Sequence, residues 1–157
     1  MKLIGLGILL FALPVMAQDK PFDYRSSSEL EQKAQAAMAK AQSSAGGSTS
    51  DRIADYGDHA LTTAARVKSG GPEVHEHWTD VIIVTDGKAT MVIGGTVVNP
   101  VERVAGSGEK SGSDITGGVT QVVKKGDVIN IPAGTPHWIK IAPGDKFAYM
   151  NVKVKKG

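Results

Sequence analysis

From Asp51 onward, turn-forming residues break the chain into short runs with no helix-sized crossover between them. The breaks are Gly70-Gly71-Pro72, Asp86-Gly87, Asn99-Pro100, Lys125-Gly126, Ala133-Gly134 and Pro143-Gly144. Between them, apolar or alternating runs read as strands near 58–67, 73–77, 80–86, 89–93, 120–123, 127–131, 137–141 and 147–154. Many short strands at regular spacing specify an all-β barrel or sandwich and disfavour a parallel α/β sheet. The stretch from Asn99 to Gly118 is poor in apolar residues and rich in Gly and Ser, so it reads as a long loop, either a lid or a disordered segment.

Some strands are apolar on both faces. Ala148, Met150, Val152 and Val154 share one side of the last strand, and Phe147 and Tyr149 take the other. Val81 and Ile83 stand likewise opposite Ile82 and Val84. Cover on both sides is therefore expected, from an N-terminal helix or from a second subunit in a homodimer.

The upstream region supplies such a helix. Ser28 and Glu31 have the spacing of a capping box, and Leu30, Ala34, Ala37, Met38 and Ala41 follow at helical intervals. Ser43 to Ser50 then reads as a Ser/Gly-rich linker. Before the helix, residues 1–17 have the form of a secretory signal. Lys2 gives a positive start, Leu3 to Leu13 an apolar run, and Val15-Met16-Ala17 a small-residue cleavage site. The apolar run is shorter than the roughly 20 residues a membrane span needs. The expected organisation is a signal segment (1–17), a helix with its linker (18–50) and a β-barrel domain (51–157), in a periplasmic or secreted protein.

Charge and cysteine content remove several function classes. The formal charge is +2, and loss of Lys2 with the signal leaves +1, which offers no field for nucleic acid or for anionic membranes. Lys153, Lys155 and Lys156 read as a solvated tail. With no cysteine there is neither a disulfide nor a thiol nucleophile. No Gly-x-Ser-x-Gly elbow is present, and Gly94-Gly95 opens no helix that could cradle a phosphate.

The chemistry lies in two blocks, Glu73 to Gly87 and Gly126 to His137. Neutral imidazole is the commonest protein metal ligand, and residues i and i+2 of a strand share a face. His75 and His77 could thus aim at one point, with His137 joining from a neighbouring strand. If His137 faces inward, alternation sends Trp138 and Lys140 outward. His59, just before an apolar run, reads as structural.

The second block resembles the cupin family's Gly-x5-Pro-x-Gly-x2-His motif at Gly126, Pro132, Gly134 and His137, although Ile141 stands where the family has Asn. The first block resembles its partner motif in either of two registers. Counting back from Gly87 puts Asp80 at the family's glutamate, His75 at its second histidine and Glu73 at its first, leaving His77 in a turn. The other register takes His75 and His77 as the pair and shortens the turn before Asp80. Val67 or Ser69 replaces the opening Gly.

The resemblance covers about residues 55 to 154. It implies a cupin-type antiparallel jelly-roll β-barrel whose pocket binds a divalent transition metal through His75, Asp80 and His137, with Glu73 or His77. A mixed N/O set suits Fe, Mn, Ni, Zn or Cu. The pocket would act on a small-molecule substrate, and dioxygenases, isomerases and decarboxylases all occur in the family. A metal-free barrel that binds or senses a small ligand is the alternative, and a partner protein using the helix is a third reading.

Overall fold

The computed structural model describes residues 22–157, so the signal read over residues 1–17 lies outside the described residues. One wall of the barrel joins β1 (Ser48–Asp55), β2 (His59–Arg66), β12 (Phe147–Lys155), the first half of β4 (Trp78–Ile93) and β10 (Val128–Ile131). The facing wall joins β6 (Val101–Glu102), β7 (Glu109–Ser111), β3 (Glu73–His75), β11 (His137–Lys140), the second half of β4 and β9 (Val119–Lys124). The strand pairings are antiparallel, and β5 (Thr96–Val98) with β8 (Asp114–Thr116) forms a separate ribbon. This is the all-β barrel that the turn spacing implied, with the jelly-roll path that the cupin resemblance implied.

β4 holds the two walls together. The runs at 80–86 and 89–93, read as two strands, are one strand of 16 residues bent at Asp86-Gly87. A bulge in its pairing with β12 absorbs the bend between Ala148 and Tyr149. Gly87 is at φ +73°, and a Cβ there would lie 1.9 Å from the Lys146 carbonyl oxygen. Lys88 N–H donates to that same carbonyl at 3.0 Å, so the ladder continues through the bend. Turn chemistry in the sequence here marks a corner rather than a hairpin.

Between the walls, Ile82, Val84, Met91, Val123, Ile131 and Phe147 form a closed core. Each large aliphatic or aromatic side chain buried this way contributes about 1.5–3 kcal/mol. Strand alternation then divides labour within each strand: Ala64 and Arg66 of β2 face inward and Ala65 faces out.

Helix α1 (Ser27–Ser43) lies on the outer face of β1, β2 and β12. Ala37 and Ala41 meet Ala65 and Ala148 there, with Met38 alongside. Small side chains let the backbones approach closely, so this contact is tight rather than large. The cap is Ser26, whose Oγ accepts from Glu29 N–H, not Ser28 as the capping-box spacing indicated. Glu29 takes the N3 place and pairs with Arg25, which fixes the start two residues earlier.

Other expectations change as well. Part of the Ser/Gly-rich linker belongs to β1, which runs from Ser48 along β2. The stretch from Asn99 to Gly118 is neither a free lid nor a disordered loop, because β6 and β7 add to the wall beside β3, and β8 pairs with β5. The outer face of β4 is only partly covered: Ile83 and its cross-strand partner Val128 are 36% and 63% exposed. No helix among the described residues is long and apolar enough to cross a membrane.

Candidate metal centre

Alternation on two short strands creates the site. In β3, Glu73 and His75 share the inward face, and Val74 takes the other. β11 sets His137 directly across from Glu73, and β4 brings in Asp80. A turn ties the two sequence blocks together. Thr135 N–H donates to the Pro132 carbonyl at 3.0 Å, with Gly134 at φ +80° inside the turn. Gly134 N–H reaches the His75 carbonyl at 2.8 Å.

Four donors converge at the end of a cavity of about 190 Å³. His75 Nε2 stands 3.4 Å from Asp80 Oδ2 and 3.8 Å from Glu73 Oε2, and His137 Nε2 stands 3.8 Å from Asp80 Oδ2. The ligand atoms of Glu73, His75 and His137 all lie within 4.8 Å of one another. Ligands each about 2.1 Å from one ion stand roughly 3–4 Å apart, so Glu73, His75 and His137 fit a single metal with small adjustments, and Asp80 stands beside them against both imidazoles. Asp80 reaches the imidazoles despite being one methylene shorter than glutamate.

Both imidazoles are oriented through their far nitrogens. His137 Nδ1–H donates to the Thr135 carbonyl at 3.1 Å, and His75 Nδ1–H donates to the Glu109 carboxylate. Each Nε2 is thereby left as an acceptor facing the common centre, the arrangement by which outer partners hold metal-binding histidines. Burial holds His137 below the usual imidazole range, outweighing the Thr135 carbonyl that favours the proton. A neutral ring is the form that binds metal.

The carboxylates carry their own partners. Burial raises the Glu73 carboxyl, but the Arg103 guanidinium on Oε1 outweighs it, and the group sits below the usual carboxylate range. Lys153 Nζ donates to Asp80 Oδ1 at 2.9 Å, leaving Oδ2 turned to the histidines. Lys153 is thus part of the site wall, not of a solvated tail.

Of the residues singled out in the sequence, Glu73, His75, Asp80 and His137 come together and His77 does not. The chain leaves β3 after His75: Glu76 N–H bonds the Gly108 carbonyl at 2.9 Å, and alternation stops there. The exposed His77 ring then packs over Gly108, where a Cβ would meet it at 2.8 Å. The literal His-x-His pair is therefore not on one face. Trp138 points away from the cavity as alternation required, its Nε1–H on the Gly70 carbonyl and Lys140 Nζ 3.9 Å over its ring. His59, partly exposed, stacks on Tyr56.

Glu109, Arg103 and Lys153 were not legible as site residues. Lys153 had a usable signal, because it shares the inward face of β12 with Phe147, Tyr149 and Asn151. Glu109 and Arg103 had none, lying in a stretch without periodicity.

Solved structures of the same architecture are numerous. An uncharacterised conserved protein with a double-stranded β-helix domain from Klebsiella pneumoniae superposes with a TM-score of 0.51 at 17% identity, over 71% of this chain and 79% of that one. The polyketide cyclase RemF from Streptomyces resistomycificus gives 0.48 at 22% identity, over 70% and 68%. A cupin-like protein from Thermotoga maritima gives 0.48 at 18% identity, over 68% of each. No curated protein sequence matches the chain. The family model named Cupin matches residues 69–156, which take in both histidine blocks and the last strand. With the barrel, the two blocks and this match in agreement, the chain belongs to the cupin family.

Proposed function

We propose that the protein is an exported cupin that holds one divalent transition metal through Glu73, His75, Asp80 and His137 and acts there on a small molecule. The observation that carries this reading is the convergence of two imidazole Nε2 atoms and two carboxylates at a buried cavity end, each imidazole already anchored through its Nδ1. Fe, Mn, Ni, Zn and Cu all suit such a set. When bound, the metal would supply a Lewis acid for a substrate oxygen. The chain's own part is to aim both rings through their Nδ1 atoms, to favour the neutral form of His137 and the ionised form of Glu73, and to shield the site from bulk water.

Metal analysis of protein purified from the periplasm tests the reading, beside His75→Ala and His137→Ala. Stoichiometric metal in the wild type and its loss in both variants is expected. Equal, negligible metal in all three would sink it. The mature chain should begin at Gln18 by N-terminal sequencing, and an intact Met1 would remove the export assignment. The reading includes a homodimer, supported by the exposed Ile83 and Val128. A monomeric mass by light scattering at micromolar concentration would exclude that part.

One observation favours a second reading, a metal-free binding or sensing barrel. Arg103 and Lys153 already pair with Glu73 and Asp80, so the carboxylates are compensated by protein cations alone. A protein of that kind would keep its small-ligand affinity after chelation, whereas a metal-dependent one would lose it.

A further inference from the structure

The cavity's cations do not all have partners. Arg103 pairs with Glu73 and Lys153 with Asp80. Arg66 lines the same cavity from the end of β2, where its guanidinium meets the Tyr149 hydroxyl, yet it forms no ion pair among the described residues, and its Nε is buried without a hydrogen-bond acceptor. Among the acidic and basic side chains that line it, Arg66, Arg103 and Lys153 outnumber Glu73 and Asp80 by one. A divalent metal would raise the excess further. A low-dielectric pocket with surplus positive charge and an unused guanidinium donor is built for an anion.

A second buried polar atom on the same wall also lacks a partner. Asn151 of β12 is 7% exposed, lines the cavity, and its Oδ1 has no hydrogen-bond partner. Tyr149, two residues away on the same face, stands between it and Arg66 in the β2–β12 ladder. Buried polar atoms without partners cost free energy, so two on one cavity wall mark groups whose partner arrives with a ligand.

We propose that Arg66 and Asn151 form the recognition wall for a small hydroxylated carboxylate: Arg66 takes the carboxylate and Asn151 accepts a hydrogen bond from the hydroxyl. The guanidinium fork matches a planar carboxylate. The cavity of about 190 Å³ limits the ligand to a few carbons. This inference rests on the reading of the cavity as a small-molecule site but not on the metal.

The probes are 4-hydroxybutyrate, its neutral amide, butyrate and inorganic phosphate, titrated by NMR into ¹⁵N-labelled full-length mature protein, both metal-free and Zn²⁺-loaded. The carboxylate should bind roughly 10–100-fold more tightly than its amide, the worth of a hydrogen bond to a charged group. Its addition should also shift the Arg66 Nε resonance. Butyrate should bind more weakly by several-fold, with the gap closed in Asn151→Leu. Arg66→Gln should erase the preference for carboxylate over amide and Arg66→Lys should restore part of it, with circular dichroism reporting that both are folded. Equal binding of carboxylate and amide, no binding of either, or phosphate binding as tightly as carboxylate would overturn the proposal. Failure of Zn²⁺ uptake, by contrast, strikes only the metal reading.

Discussion

The four donors and the groups that orient them reach the same cavity by different structural routes. Glu73, His75, Asp80 and His137 sit on strands whose ladders fix their direction: β3 against β11, and β4 against β10 and β12. Arg103 and Glu109 come from the segment between β5 and β8, held by the short β6–β7 and β3–β7 pairings. Barrel geometry places the donors, and a locally irregular segment refines them. Two residues of one segment therefore tune both a histidine and a carboxylate of the site.

The sharpest way to break this contrast is to remove donors and decoy in parallel. His137→Ala and His75→Ala should each weaken Zn²⁺ or Co²⁺ binding beyond the roughly 10–100-fold that loss of an outer partner costs. His77→Ala should leave the affinity within the error of a competitive-chelator titration. Equal losses for His77 and His137 would mean that the turn after β3 rearranges on binding and that the ladder does not decide the donor set.

A smaller effect is expected from the irregular segment. Glu109→Gln keeps a hydrogen-bond acceptor for His75 Nδ1–H but removes the charge, and should lower metal affinity by about 10-fold, the low end for such partners. Glu109→Ala, which frees the ring to turn, should reach the high end of about 100-fold. The barrel's thermal midpoint should barely move in either variant, since Glu109 is partly exposed and outside the core. An unchanged affinity in both would show that packing alone orients His75.

The same contrast explains what was legible beforehand. Period-two alternation and the spacing from Gly126 to His137 carry the barrel and His137, because backbone pairing converts sequence distance directly into direction. His75 was common to both registers of the cupin motif, and Glu73 stood in the one counted back from Gly87. The competing His75–His77 pair failed because alternation holds only while the strand lasts, and β3 ends at His75. Asp86-Gly87 read as a break between two strands, since the same positive-φ glycine serves a corner within one strand. β1 stayed hidden because Ser48, Thr49 and Ser50 carry no apolar pattern and gain their structure from β2 beneath the helix. Arg103 and Glu109 depend on contacts some 30 residues distant in a stretch without periodicity, and no local signal encodes such contacts.

The smallest expected effect concerns the strand wall itself. An ordinary tyrosine ionises near pH 10. Burial pushes Tyr149 above that value, and the nearby Arg66 guanidinium offsets this only in part. The unfolded chain therefore releases this proton at a lower pH than the folded one. Stability from this group is full below about pH 10 and falls as pH rises toward the folded value, by about 1.4 kcal/mol per unit. Urea midpoints at pH 9 and pH 11 should accordingly draw closer together in Tyr149→Phe than in the wild type, with lysine titration common to both. A matching absorbance titration at 295 nm should show a tyrosine that resists ionisation until the barrel opens and that is absent from Tyr149→Phe. If wild type and Tyr149→Phe lose equal stability over that range, the hydroxyl is solvated, and the wall shared by Tyr149, Arg66 and Asn151 is wetter than its burial indicates.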